Sequence, residues 1–167
     1  MPRIERIRRR HLLKKKVQRE ELRRIEESLG AAVNLPADAR LEGGVLEDGS
    51  RVLLLDGKIY FFEHEGQMLP TLRAILEGWV SLPRVTVDMG AVRFVVNGAD
   101  IMRPGVTEID NEVREHQAVV VVDEQHNKPL AIGLSMFDAG DMQQMDSGKV
   151  IRSLHHIGDS LWEFGKD

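Results

Sequence analysis

The chain contains no cysteine. That single absence removes disulfides, a thiol nucleophile and any thiolate zinc site. Long apolar runs are missing too, and none approaches the ~20 residues needed to span a bilayer. The basic start is not followed by the apolar stretch that marks a secretory leader, so a cytoplasmic protein without membrane association is expected. Catalytic fingerprints are likewise absent. There is no G-x-S-x-G elbow, no Walker loop and no dinucleotide fingerprint, and Gly43-Gly44 stands alone as a turn signal. The six histidines never take the i, i+4 spacing of a helical metal site. His155 and His156 would point to opposite faces of a strand, one buried and the other exposed or stacking on a ligand. The expectation is a protein that is not an enzyme and holds no metal or other cofactor.

What is present is a globular composition with lopsided charge. At 42% hydrophobic and 30% charged, the 167 residues fit one domain or two small ones. The net charge of −4 hides two unlike regions. Residues 1–30 carry eleven Lys and Arg against five Glu, whereas residues 31–167 carry twelve against twenty-two acids. A polyanion would therefore be met locally, through the basic start or a patch within the acidic remainder.

Residues 5–29 are rich in helix formers and free of Gly and Pro, and Gly30 stands where a C-cap belongs. Ile7, Leu12, Leu13, Val17, Leu22, Ile25 and Leu29 recur mostly at three- to five-residue spacing. This predicts an amphipathic helix, or two, with Leu12, Leu13 and Val17 packed inward. Arg8, Arg9, Arg10, Lys14 and Lys15 stand on its polar face. The acids of this segment cluster late, so positions 6–16 form a basic block without an acid. Such a block is either a solvated face or a surface suited to an anion.

Short strands follow at 45–46 and 52–55, with a hairpin at Asp56-Gly57 leading to 59–62. Pro70-Thr71 opens a helix over 72–79 with Leu72, Ile75, Leu76 and Trp79 on one face. Ser81-Leu82-Pro83 reads as a linker dividing the chain into 1–82 and 83–167. Beyond it, 118–122 is an apolar β-branched run expected to be buried on both faces. A partner strand at 130–136, a short helix over 138–145 and last strands at 149–152 and 160–164 complete the pattern, with Trp162 packing the barrel. The class predicted is α+β: a small α/β unit, then a small barrel of strands.

The densest information lies in residues 85–106, V-T-V-D-M-G-A-V-R-F-V-V-N-G-A-D-I-M-R-P-G-V. A strand holding Val85 and Val87 runs through Asp88, a fitting N-cap, into a short helix that stops at Asn97-Gly98. Gly98 is placed for a left-handed C-cap, and Pro104-Gly105 fits a turn with a fixed φ followed by a positive one. Bare backbone at Gly98-Ala99 and Pro104-Gly105, flanked by Arg93 and Arg103, makes a cradle suited to a phosphodiester chain.

The run from 90 to 106 resembles the signature of a PUA domain, a small β-barrel RNA-binding module. The match extends through L-P-T-L-R at 69–73, L-P-R-V-T-V-D at 82–88 and H-H-I-G-D-S-L-W at 155–162. Nearly the whole chain thus resembles the archaeal and eukaryotic family of the malignant T-cell-amplified sequence protein, in which a pre-PUA domain precedes a PUA domain. The resemblance implies a pre-PUA domain over 1–82 and a PUA-type pseudo-barrel of mixed strands with short helices over 83–167. It implies structured RNA, tRNA or rRNA, bound through the region from Arg93 to Gly105, aided by Lys149 and Arg152 on the last strands. It further implies association with the small ribosomal subunit and an initiation-factor-like protein partner in eukaryotic members. Those members use cysteines in both regions, so a thiolate zinc bridge is excluded for this chain.

Eight aromatic residues leave no evident stacking platform for splayed bases, which favours backbone and duplex-end recognition over base readout. The leading expectation is a non-catalytic RNA-binding protein of translation, acting in initiation or recycling at the small ribosomal subunit or on the tRNA acceptor end. An alternative is an RNA-targeting subunit for tRNA or rRNA modification. A third reading, an enzyme using His155 or His156 with Asp159, has no motif behind it.

Overall fold

A computed structural model describes residues 3–166. It contains two compact units. One runs to Ser81 and is joined by the residues from Ser160 onward, and the other spans Leu82–Asp159.

The first unit is built from β1 (Arg8–Leu12), α1 (Lys15–Leu29), β2 (Glu42–Val45), β3 (Arg51–Leu55), β4 (Lys58–His64), β5 (Gln67–Pro70) and α2 (Leu72–Leu76). Its five strands form an antiparallel sheet in the order of the sequence. The β3–β4 hairpin turns on Asp56 and Gly57, both at positive φ, 51° and 78°, as a tight two-residue connection requires. Leu41, Leu53, Leu54, Ile59, Phe61, Leu69 and Leu72 are wholly buried, and Ile25 of α1 joins them. Tyr60 stacks on Trp79 with ring centroids 4.2 Å apart.

The expected helix over 5–29 is a strand near its start. Residues 8–12 pair with β2 at the sheet edge, Arg8 opposite Val45 and His11 opposite Gly43. Arg10 grips Glu42 through two hydrogen bonds of 3.2 and 3.0 Å. Arg9 takes a positive φ of 54°, between register positions that shift there. A strand partner thirty residues away overrides local helix propensity. The helix proper begins at Lys15 and ends at Gly30, φ 66°, as the C-cap expectation had it. Leu13 packs inward, but Leu12 and Val17 are 55% and 45% exposed. Leu76 is also exposed, because α2 ends there and Trp79 reaches the core by way of a turn.

The second unit comprises β6 (Arg84–Val87), α3 (Met89–Val95), β7 (Ile101–Met102), a 3-10 turn (Arg103–Gly105), β8 (Val106–Ile109), β9 (Ala118–Asp123), β10 (Pro129–Ser135), α4 (Ala139–Gln144) and β11 (Lys149–His156). The strands lie in the order β7-β11-β10-β9-β6-β8. Only the β6–β9 pairing is parallel within this mixed sheet. All six residues of β9 are buried, as the apolar run predicted. Val119 and Val121 join Val85, Val87, Val95, Ile101, Met142 and Ile151 in one core. Gly133 permits the closest approach in the sheet: a Cβ there would lie 2.6 Å from the Arg152 carbonyl oxygen.

The last strand is longer than expected, and 160–163 is not a strand. Ser160–Glu163 forms a helix, α5. Trp162 does not pack the barrel; it belongs to the first unit. Arg73 donates to its carbonyl at 2.8 Å and lies 4.6 Å over its ring. The α+β architecture with a barrel-like sheet of mixed strands and short helices is the one the sequence predicts. No helix among the described residues is long and apolar enough to cross a membrane.

Candidate nucleic-acid interface

The groove of the second unit follows from two chain reversals. Asp88 caps α3 by accepting the Ala91 N–H at 2.8 Å. At the far end Gly98 has φ 92°, a region that side chains with a Cβ resist. Its N–H meets the Val95 carbonyl, and the Ala99 N–H meets that of Phe94, both at 3.0 Å. The chain returns through β7 into the Arg103–Gly105 turn, where the Asp88 N–H donates to the Gly105 carbonyl at 2.9 Å. Turn and helix start are thereby clamped together.

Gly105 is not at positive φ, contrary to the turn type expected. Glycine is needed there for another reason: a Cβ would lie 3.1 Å from the Ala91 Cβ. The close approach leaves a groove of about 520 Å³ lined by Gly90, Ala91, Phe94, Ala99, Met102 and Pro104. Phe94 and Met102 are 54% and 49% exposed. Neither is among the residues the sequence singles out for RNA. The available signal was that Val92, Phe94, Val95 and Val96 are too many apolar residues for one face of so short a helix, so one must face out.

The charges around the groove differ in availability. Arg93 is exposed and lies 4.7 Å over the Phe94 ring. Arg103 is committed: Nε donates to the Met142 carbonyl at 2.7 Å and Nη1 to that of Val106 at 3.1 Å. Lys149 pairs with Asp100 at 2.8 Å, and Asp100 also accepts the Ser153 N–H at 2.8 Å. Burial pushes the Asp100 carboxyl up, but the Lys149 bond and the Ser153 N–H outweigh it, with Arg152 assisting, and hold it below the usual carboxylate range. The two acids lining the groove, Asp88 and Asp100, therefore both have partners within the protein.

His155 is wholly buried, with Nδ1 2.9 Å from Asp159. The pair sits at the end of β11, where Asp159 also accepts the His156 N–H at 3.0 Å. His156 is half-buried beside Gly98.

The basic residues near the start of the chain belong to the first unit. Arg8 reaches the Leu46 and Glu47 carbonyls at 3.4 and 3.3 Å, and Arg10 holds Glu42. Arg9, Lys14 and Lys15 are exposed and form no ion pair among the described residues.

Comparison with known proteins agrees with this geometry. Residues 83–157 match the PUA domain, and residues 9–77 match a domain of unknown function (DUF1947). An uncharacterized protein of Methanocaldococcus jannaschii is 32% identical over 95% of this chain and 98% of its own. Translation machinery-associated protein 20 of Schizosaccharomyces pombe is 32% identical over 77% of this chain and 74% of its own. Malignant T-cell-amplified sequence 1-B of Xenopus laevis is 33% identical over 66% and 64%. Among solved structures, a hypothetical protein of Pyrococcus horikoshii is 28% identical with a TM-score of 0.74, covering 92% of this chain and 98% of its own. A PUA domain protein of Aeropyrum pernix in a tartrate complex is 25% identical with a TM-score of 0.79, covering 95% and 90%.

Proposed function

This chain belongs to the family of translation machinery-associated protein 20 and malignant T-cell-amplified sequence 1, and from that premise we propose that it is an RNA-binding protein of the translation machinery. Its ligand is structured RNA, tRNA or rRNA, met at the small ribosomal subunit, and its role is to position RNA rather than transform it.

One observation carries this reading: the groove between α3 and the Arg103–Gly105 turn offers backbone and small side chains, with its two acids already paired. A sugar–phosphate chain needs close approach, which such a wall supplies, and Lys149 offsets the Asp100 charge beside it. Gly98, Ala99, Pro104 and Gly105 form the surface on which the strand lies. Arg93 faces a phosphate, and Lys149, with Arg152 nearby, cancels the Asp100 charge beside the groove. Arg103 holds the turn in place through its two carbonyls. Phe94 and Met102 give an unpaired base or ribose an apolar face. In the other unit, Arg9, Lys14 and Lys15, flanked by Arg8 and Arg10, supply sequence-independent attraction.

Ala99→Glu tests the placement. Ala99 is exposed, so the melting temperature is expected to hold, while a carboxylate beside phosphate weakens binding of an RNA hairpin by roughly tenfold or more. Fluorescence anisotropy reads the affinity. An unchanged Kd contradicts the groove as the RNA surface.

A further inference from the structure

His156 ends β11 with its ring orientation fixed. Its backbone N–H donates to Asp159 Oδ2 at 3.0 Å, and its Nδ1 lies 2.8 Å from the Ile157 carbonyl oxygen. A carbonyl oxygen only accepts, so Nδ1 carries the proton. In the neutral ring Nε2 is then an acceptor with a free lone pair. No hydrogen bond to Nε2 is made among the described residues, and the residue is half-buried.

The second observation is what Nε2 faces. A Cβ at Gly98 would lie 3.1 Å from Nε2 and 3.3 Å from the neighbouring Cδ2. Glycine at this position therefore serves two ends: it allows the positive φ that closes α3, and it keeps the acceptor uncovered. Gly98 and Ala99 are exposed, and Ala99 lines the groove. A strand laid along that backbone passes His156.

Nucleic-acid chemistry narrows what an acceptor can meet there. Phosphate oxygens and the ring oxygen of the sugar only accept. Base amines donate, but they vary with sequence and are engaged within a duplex. The donor present on each nucleotide, whatever its base, is the ribose 2′-hydroxyl, and DNA lacks it. We infer that His156 makes the groove selective for ribose, its Nε2 accepting a hydrogen bond from a 2′-hydroxyl of the strand bound along Gly98-Ala99. The inference rests on the groove reading above and adds a residue and a selectivity to it.

The test uses the full chain and two probes: an RNA hairpin with a four-nucleotide single-stranded end, and the same hairpin with 2′-deoxy sugars in that end. Wild-type protein is expected to prefer the ribose probe by roughly two- to tenfold, the span one neutral hydrogen bond supplies. His156→Phe keeps a ring and removes the acceptor. It is expected to erase the preference while leaving affinity for the deoxy probe in place. Because that substitution also frees the Ile157 carbonyl, a second measurement uses unaltered protein: the Nε2 nitrogen resonance is expected to shift with the ribose probe and to stay put with the deoxy probe. A wild-type protein indifferent to the sugar, or a His156→Phe protein with the preference intact, overturns the inference while Ala99→Glu still weakens both probes. If Ala99→Glu weakens neither, the groove reading falls and takes this inference with it.

Discussion

Arg103 holds two carbonyls at once, those of Met142 and Val106. Both belong to buried residues, and although the Met142 carbonyl keeps the Met145 N–H at 3.2 Å, a hydrogen bond from a charged donor is worth about 1.5–3 kcal/mol. Arg103→Met is therefore expected to lower unfolding stability by about that amount in chemical denaturation, with Arg103→Lys recovering part of it, because an ammonium lacks the planar fork. A denaturation midpoint unchanged by Arg103→Met would show that the bracing is dispensable. The same reasoning separates Arg93 from Arg103. They flank the same backbone in the sequence, yet one is exposed over an aromatic ring and the other is spent on internal carbonyls. Residue type alone does not distinguish a phosphate contact from a brace; the carbonyls within reach do.

At the scale of elements, the basic stretch of the first unit divides between an edge strand and a helix start. Arg8 and Arg10 are occupied by carbonyls and Glu42, so the charges open to phosphate include Arg9, Lys14, Lys15 and Lys16. Changing these four to Gln keeps the α1 positions within good helix formers while removing the charge. If each meets a phosphate, the log–log salt slope of RNA binding should fall by roughly 3–4 units. An unchanged slope in salt-dependent anisotropy would identify a solvated face instead. These elements also show what the sequence made legible. Asp88, the Asn97-Gly98 stop and the fully buried β9 were readable because capping, positive φ and two-sided burial leave local marks. The β1 strand was not readable, because its reason for being extended is β2, thirty residues away. Phe94 was missed as a groove residue, and the place of His156 beside Gly98 was not foreseen, for a related reason: only the returning turn and the end of β11 bring them to the same backbone. Trp162 was misassigned because Arg73, its partner, lies 89 positions earlier.

Across the whole molecule, a net charge of −4 coexists with RNA binding because the charge is sorted along the chain. The acidic excess falls after residue 30, in the part that contains the groove, and there the acids that line it are paired within the protein. The acidic remainder discourages indiscriminate contact with polyanions, while the basic block supplies attraction that any phosphate backbone feels. On the proposed function, specific placement depends on the groove, where shape and hydrogen bonding decide. The most direct test of that account is ultraviolet crosslinking in cells, with both the captured RNA and the crosslinked peptides identified. Small-subunit ribosomal RNA or tRNA attached to peptides spanning residues 89–105 is the predicted result. Crosslinks confined to other surfaces of the second unit, or capture of a single modified RNA species with no ribosomal RNA or tRNA acceptor end among the products, would contradict it.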